Sequence, residues 1–120
     1  MEQKQAILYL VVPCYNEQEV LPATAEKLTA KLDQLVEKSV ISDQSRIIFV
    51  DDGSKDMTWP IIEDEHKKSP VVQVYKLSRN RGHQNALLAG LLKAKDYADI
   101  IISMDADLQD DMDAMDRFID

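Results

Sequence analysis

The sequence is short of several things, and each shortage removes a class of protein. It has one cysteine, Cys14, so no internal disulfide can form. At the end of an apolar run, that lone thiol reads as a small packed residue before it reads as a nucleophile. No apolar stretch approaches the roughly 18 residues that cross a bilayer. The start, Met1-Glu-Gln-Lys-Gln, lacks the basic-then-apolar shape of a secretion signal, so a cytoplasmic location is expected. Basic side chains are outnumbered, 14 Lys and Arg against 22 Asp and Glu, for a formal net charge of −8. They form no cluster of the kind a nucleic-acid surface needs, and no nucleic-acid partner is expected. Repeats, low-complexity tracts and internal linkers are also missing, so the 120 residues are expected to make one domain, 1–120, around one core.

What is present alternates. Ala6 to Val12 is a continuous apolar run, as in a strand buried on both faces, and Pro13 is expected to end it. From about Val20 to Glu37, Leu21, Ala25, Leu28, Leu32, Leu35 and Val36 recur at steps of three and four, the mark of one helix face. Pro22 fits only its first turn. Arg46 to Val50 reads as a second strand, followed by the turn Asp51-Asp-Gly-Ser-Lys-Asp56 and a helix reaching about Lys68, which Ser54 or Asp56 would cap. Val71 to Leu77 is a third strand, Gln84 to about Tyr97 a third helix, and Asp99 to Met104 a fourth strand. Met112, Met115, Phe118 and Ile119 place a last helix from near Asp111. Strictly alternating strands and helices imply an α/β fold with a parallel, Rossmann-like sheet and right-handed crossovers.

In such sheets ligands bind beyond the carboxyl ends of the strands, near a switch in strand order. Four polar clusters each follow a strand: Tyr15 to Glu17, Asp51 to Asp56, Arg79 to His83, and Asp105 to Asp111. Tyr15 offers a flat face for a nucleobase and Glu17 an acceptor for ribose hydroxyls. The plainer alternative packs Tyr15 on the first helix, with Asn16 and Glu17 merely starting it. Asp51 and Asp52 point opposite ways in an extended chain, one toward a ligand and the other to the donors of the Gly53-Ser54 turn. Arg79 or Arg81 can reach a phosphate, and Gly82 lets backbone N–H groups approach it, although neither phosphate-loop pattern is present. His83 reads more readily as a hydrogen-bonded surface residue than as a phosphate ligand.

The fourth cluster carries the charge. Seven aspartates fall between Asp105 and Asp120. Asp105 and Asp107, one residue apart at a strand end, repel unless a cation lies between them. A hard divalent ion, Mg²⁺ or Mn²⁺, suits carboxylate oxygens and bridges phosphates, and Gln109 is placed to add a neutral oxygen. Several of the later aspartates read as companions of a helix N-terminus instead.

Together the stretches Val11-Val-Pro-Cys-Tyr-Asn-Glu17, Phe49-Val-Asp-Asp-Gly-Ser-Lys-Asp56, Leu77-Ser-Arg-Asn-Arg-Gly-His-Gln84 and Met104-Asp-Ala-Asp-Leu-Gln-Asp110 resemble the family 2 glycosyltransferases of the GT-A fold. The Asp-Ala-Asp-Leu-Gln form looks most like the branch that glycosylates polyprenyl phosphates. The resemblance implies a nucleotide-sugar-binding half-domain, with the rest of the family's length, the acceptor-binding half, lying beyond it. It implies that Pro13, Tyr15, Glu17 and Asp51 line the nucleoside pocket, with Asp52, Arg81 and Gly82 also candidates for the nucleotide sugar. Asp105, Asp107 and Gln109 would surround the metal and diphosphate. Expected partners are a UDP- or GDP-sugar and a lipid-phosphate or glycan acceptor, at the cytoplasmic face of a membrane for the full-length protein. A homo-oligomer through an open sheet edge is a further expectation. One departure stands out: Asp111-Met112 replaces the family's usual Pro-Pro. No catalytic base can be named. The alternatives are a nucleotide-binding module that transfers nothing and, lower, an Asp-x-Asp phosphotransferase, which normally carries that motif on its first strand.

Overall fold

A computed structural model describes residues 5–79 and 82–106, His83 by its backbone alone. Strand β1 (Leu8–Cys14) leads through a turn into helix α1 (Leu21–Glu37). Then come β2 (Arg46–Asp51), α2 (Thr58–Lys68), β3 (Val72–Lys76), α3 (His83–Ala94) and β4 (Ile100–Ser103). All pairings are parallel and the strand order is β3-β2-β1-β4. The expected last helix lies outside the described residues.

The sheet is buried on both faces, which is why β1 and β2 carry runs of Leu, Val and Ile rather than an alternating pattern. Leu8, Leu10, Val12 and Cys14 of β1 and Ile47 and Phe49 of β2 pack against α1 and α2. Their neighbours Tyr9, Val11, Ile48 and Val50 pack against α3. On α1, Leu21, Leu28, Leu32 and Leu35 are buried, each worth about 1.5–3 kcal/mol of transfer free energy. Gly90 lets α3 lie close to the sheet: a Cβ there would come within 2.4 Å of Val11 Cγ1 and 3.2 Å of Val50 Cγ2.

Several boundaries differ from the sequence reading. Pro13 does not end β1 but sits within it, opposite Val50. Backbone groups alternate sides along a strand: Cys14 O accepts from Asp52 N toward β2, and Val11 O from Met104 N toward β4. Residue 13 therefore turns its nitrogen to β4, whose ladder has ended at Ser103, and the missing N–H breaks no rung. Helix α3 begins at His83 and stops at Ala94, short of Tyr97, where the chain turns with Tyr97 N donating to Ala94 O.

Candidate active site

Strands β2 and β3 lie to one side of β1 and β4 to the other, so the order switches between β1 and β4. The carboxyl ends of these two strands carry Pro13 and Asp105, and the crevice outside them is where a doubly wound sheet takes its ligand. Pro13 is buried and Asp105 exposed.

On the β1–β2 side the loops are stitched together. Asn16 N donates to Ser54 Oγ at 2.9 Å, and Asn16 Oδ1 accepts from Lys55 N at 2.9 Å. Glu17 N donates to Thr58 Oγ1 (2.7 Å), Gln18 N to Asp56 Oδ2 (3.3 Å) and Met57 N to Gln18 Oε1 (3.0 Å). These bonds satisfy the donors just ahead of α1, whose own first residues offer no capping side chain. Met57, not Ser54 or Asp56, is the N-cap of α2; Asp56, one residue before it, accepts through Oδ1 from the N–H (2.9 Å) and hydroxyl (2.6 Å) of Thr58. Burial acts to raise the Asp56 pKa, but these bonds and that from Gln18 N outweigh it and hold the carboxyl below its usual range.

The clasp fixes what flanks it. Asn16 adopts a left-handed φ of 52°, which asparagine tolerates better than most residues. Tyr15 stays 38 % exposed. Asp51 and Asp52 are both buried. Asp51 itself serves the turn, its Oδ1 accepting from Ser54 N at 3.2 Å. Its Oδ2 is buried with no hydrogen-bond partner among the described residues. A buried acceptor left open costs about 1–3 kcal/mol, a cost a bound donor would relieve. Cys14 lies beside it: burial first, then the charges of Asp51 and Glu17, push the thiol far above its usual pKa, so it is no nucleophile.

On the other side, Gly82 starts α3 with φ 93°. Among the described residues nothing lies within 4 Å of a Cβ built there, and the positive φ is the backbone conformation that favours glycine. Arg81, Asp107 and Gln109 lie outside the described residues. After β4, Ala106 is buried in the core, and its carbonyl accepts from Thr24 Oγ1 at 2.5 Å. Among the described residues no three potential ligands gather as a metal cage. Asp105, a solvent-facing carboxylate at a strand end, still has the oxygen chemistry of a magnesium- or manganese-type site, which takes one or two carboxylates plus phosphate oxygens.

The sequence reading missed Asn16, Gln18, Ser54 and Thr58 as the parts that hold the loops, and missed Thr24. The signal for Thr24 was a polar residue on the otherwise apolar stripe of Leu21, Ala25 and Leu28. For the clasp it was the density of Asn, Ser, Asp and Thr after two neighbouring strands.

A parallel sheet built from alternating strands and helices, its order switching between β1 and β4, is the Rossmann-like core of a GT-A fold. The family model described as glycosyl transferase family 2 matches residues 9–120. The chain belongs to that family of sugar-transferring enzymes. It is 50 % identical over 119 residues to the uncharacterized glycosyltransferase YkoT of Bacillus subtilis, covering 99 % of this chain and 35 % of that one. It is 36 % identical over 116 residues to the undecaprenyl-phosphate 4-deoxy-4-formamido-L-arabinose transferase of Aeromonas hydrophila, covering 95 % and 33 %. Among solved structures it is similar to the mannosyltransferase PcManGT of Pyrobaculum calidifontis, which is in complex with GDP-Man and Mn²⁺. There the TM-score is 0.65 at 25 % identity, over 86 % of this chain and 28 % of that one. The chain thus spans about a third of the length of the curated relatives it matches.

Proposed function

We propose that the protein transfers a sugar from a UDP- or GDP-sugar to a polyprenyl phosphate or an envelope glycan, by inverting displacement assisted by Mg²⁺ or Mn²⁺. The observation that carries the reading is Asp51, a buried carboxylate at the carboxyl end of β2 with one oxygen unpartnered among the described residues. Such an oxygen accepts an N–H of a base or a ribose hydroxyl. Tyr15 supplies the stacking face beside it, and the clasp keeps both in place before the ligand arrives, which lowers the ordering cost of binding. Asp105, with Asp107 and Gln109, would hold the cation, whose chemistry is to neutralise the leaving diphosphate. Arg81 and the backbone at Gly82 are the other candidates for the phosphates. The acceptor class rests on the name of the Aeromonas relative, and Mn²⁺ on the complex of the Pyrobaculum structure.

The test is calorimetric titration of UDP and GDP, with and without Mn²⁺, into wild type and Asp51→Asn. The amide replaces an acceptor with a donor, and losing a charge-assisted bond weakens nucleotide affinity by about tenfold to a hundredfold. Equal affinity in the two proteins would rule out Asp51 as the nucleoside acceptor. Incubation with labelled sugar nucleotide and lipid phosphate then separates a transferase from a module that only binds.

A further inference from the structure

Ala106, the middle residue of the Asp-Ala-Asp motif, is held by a residue 82 positions away in sequence. Thr24 sits on the buried face of α1, 3 % exposed. A threonine hydroxyl inside a helix commonly bonds a carbonyl three or four residues back in the same helix. Here it donates to the carbonyl of Ala106, also buried, while Asp105 just before it is exposed. A bond on the Ala106 carbonyl fixes the backbone immediately after Asp105. With both partners buried, water is a poor substitute for the lost bond.

We infer that Thr24 is a positioning residue for the Asp-Ala-Asp loop. By holding Ala106 it sets the direction in which Asp105 leaves the sheet, and through α1 it ties that strand end to the turn bearing Tyr15 and Glu17. The inference rests on the reading of the loop as the seat of the cation and diphosphate. Thr24 itself touches neither; it acts through the backbone.

Thr24→Val keeps the branched shape and removes the donor, and Thr24→Ser keeps the donor. Free Mn²⁺ is followed by electron paramagnetic resonance in the presence of UDP or GDP, nucleotide affinity by calorimetry in chelator, and folding by thermal melting. In Thr24→Val the gain in nucleotide affinity on adding Mn²⁺ falls about tenfold. Its metal-free nucleotide affinity stays within about twofold of wild type, a change small beside that of one lost hydrogen bond. Thr24→Ser restores the Mn²⁺ response. Where Thr24→Val melts below the assay temperature, Thr24→Ala, a better helix former, gives the same readout. An unchanged Mn²⁺ response in the donor-less variants overturns the inference. So does an equal loss of metal-free and metal-dependent binding, which marks Thr24 as a packing residue. A wild type with no Mn²⁺-dependent nucleotide binding instead brings down the functional reading on which this one stands.

Discussion

Asn16 joins the two loops beside the proposed nucleoside pocket by its backbone and its side chain, and substitution there separates two physical contributions. Its N–H bond to Ser54 Oγ survives any replacement except proline. Its Oδ1 bond from Lys55 N, 2.9 Å long, does not. Losing such an exposed bond costs about 0.5–1.5 kcal/mol. The left-handed φ of 52° adds a second cost for any side chain less tolerant of it than asparagine, roughly 1 kcal/mol for alanine. Asn16→Ala should therefore destabilise by about 2 kcal/mol. Asn16→Gly loses the same acceptor without the steric cost and should lose about 1 kcal/mol. Asn16→Asp keeps an acceptor and should stay within about 0.5 kcal/mol of wild type. Urea denaturation of the four proteins, at unchanged slope, measures the series. If glycine proves as costly as alanine, backbone conformation is not the second contribution. If aspartate is as costly as either, the Lys55 bond is not the first.

Two further outcomes follow from the fold and the clasp. Gly90→Ala improves helix propensity by about 1 kcal/mol, but its Cβ would meet the fully buried Val11 at 2.4 Å. Overpacking costs of about 1–3 kcal/mol should win and lower the urea midpoint; a raised midpoint would mean that α3 rides higher on the sheet. The folded-state pKa of Asp56 lies below its unfolded value of about 3.8, so its contribution is complete above that pH and is lost as pH falls through the folded value. The stability difference between wild type and Asp56→Ala, from thermal melts, should be flat from neutral pH to about pH 4 and shrink below it. A difference that persists unchanged to pH 2 would contradict the assigned hydrogen bonds.

The order of elements was legible because fully buried strands and one-sided helices leave different periodicities. Leu8 to Val12 is apolar without a break, whereas Leu21, Leu28, Leu32 and Leu35 recur at helical steps. The gathering of polar residues after the strands was legible too, since the apolar runs of β1 and β2 give way to polar turns. The division of roles within a cluster was not. Asp51 and Asp52 are identical in sequence terms, and only the closure of the turn by Ser54 N decides which oxygen is used and which is left open. The partners of Asn16 are about 40 residues away, and those of Thr24 farther still, so no local pattern encodes them. Boundaries slipped for a related reason. Pro13 was read as a stop from its own strand's hydrogen bonding, when its position depends on which neighbour its nitrogen faces.

That nitrogen sets a limit on another part of the chain. In a parallel ladder the rung after Met104 N to Val11 O would run from the N–H of residue 13 to the carbonyl of Met104. Proline has no such hydrogen to give. Strand β4 can therefore grow no farther along β1, and the chain has to peel away just where Asp105 begins. Any other residue at position 13 would offer one more rung, drawing the first carboxylate of the pair toward the ladder. The proline thus acts as a length stop on its neighbour: the exit point of the acidic loop is written into the first strand of the sheet, not into the strand that carries the loop.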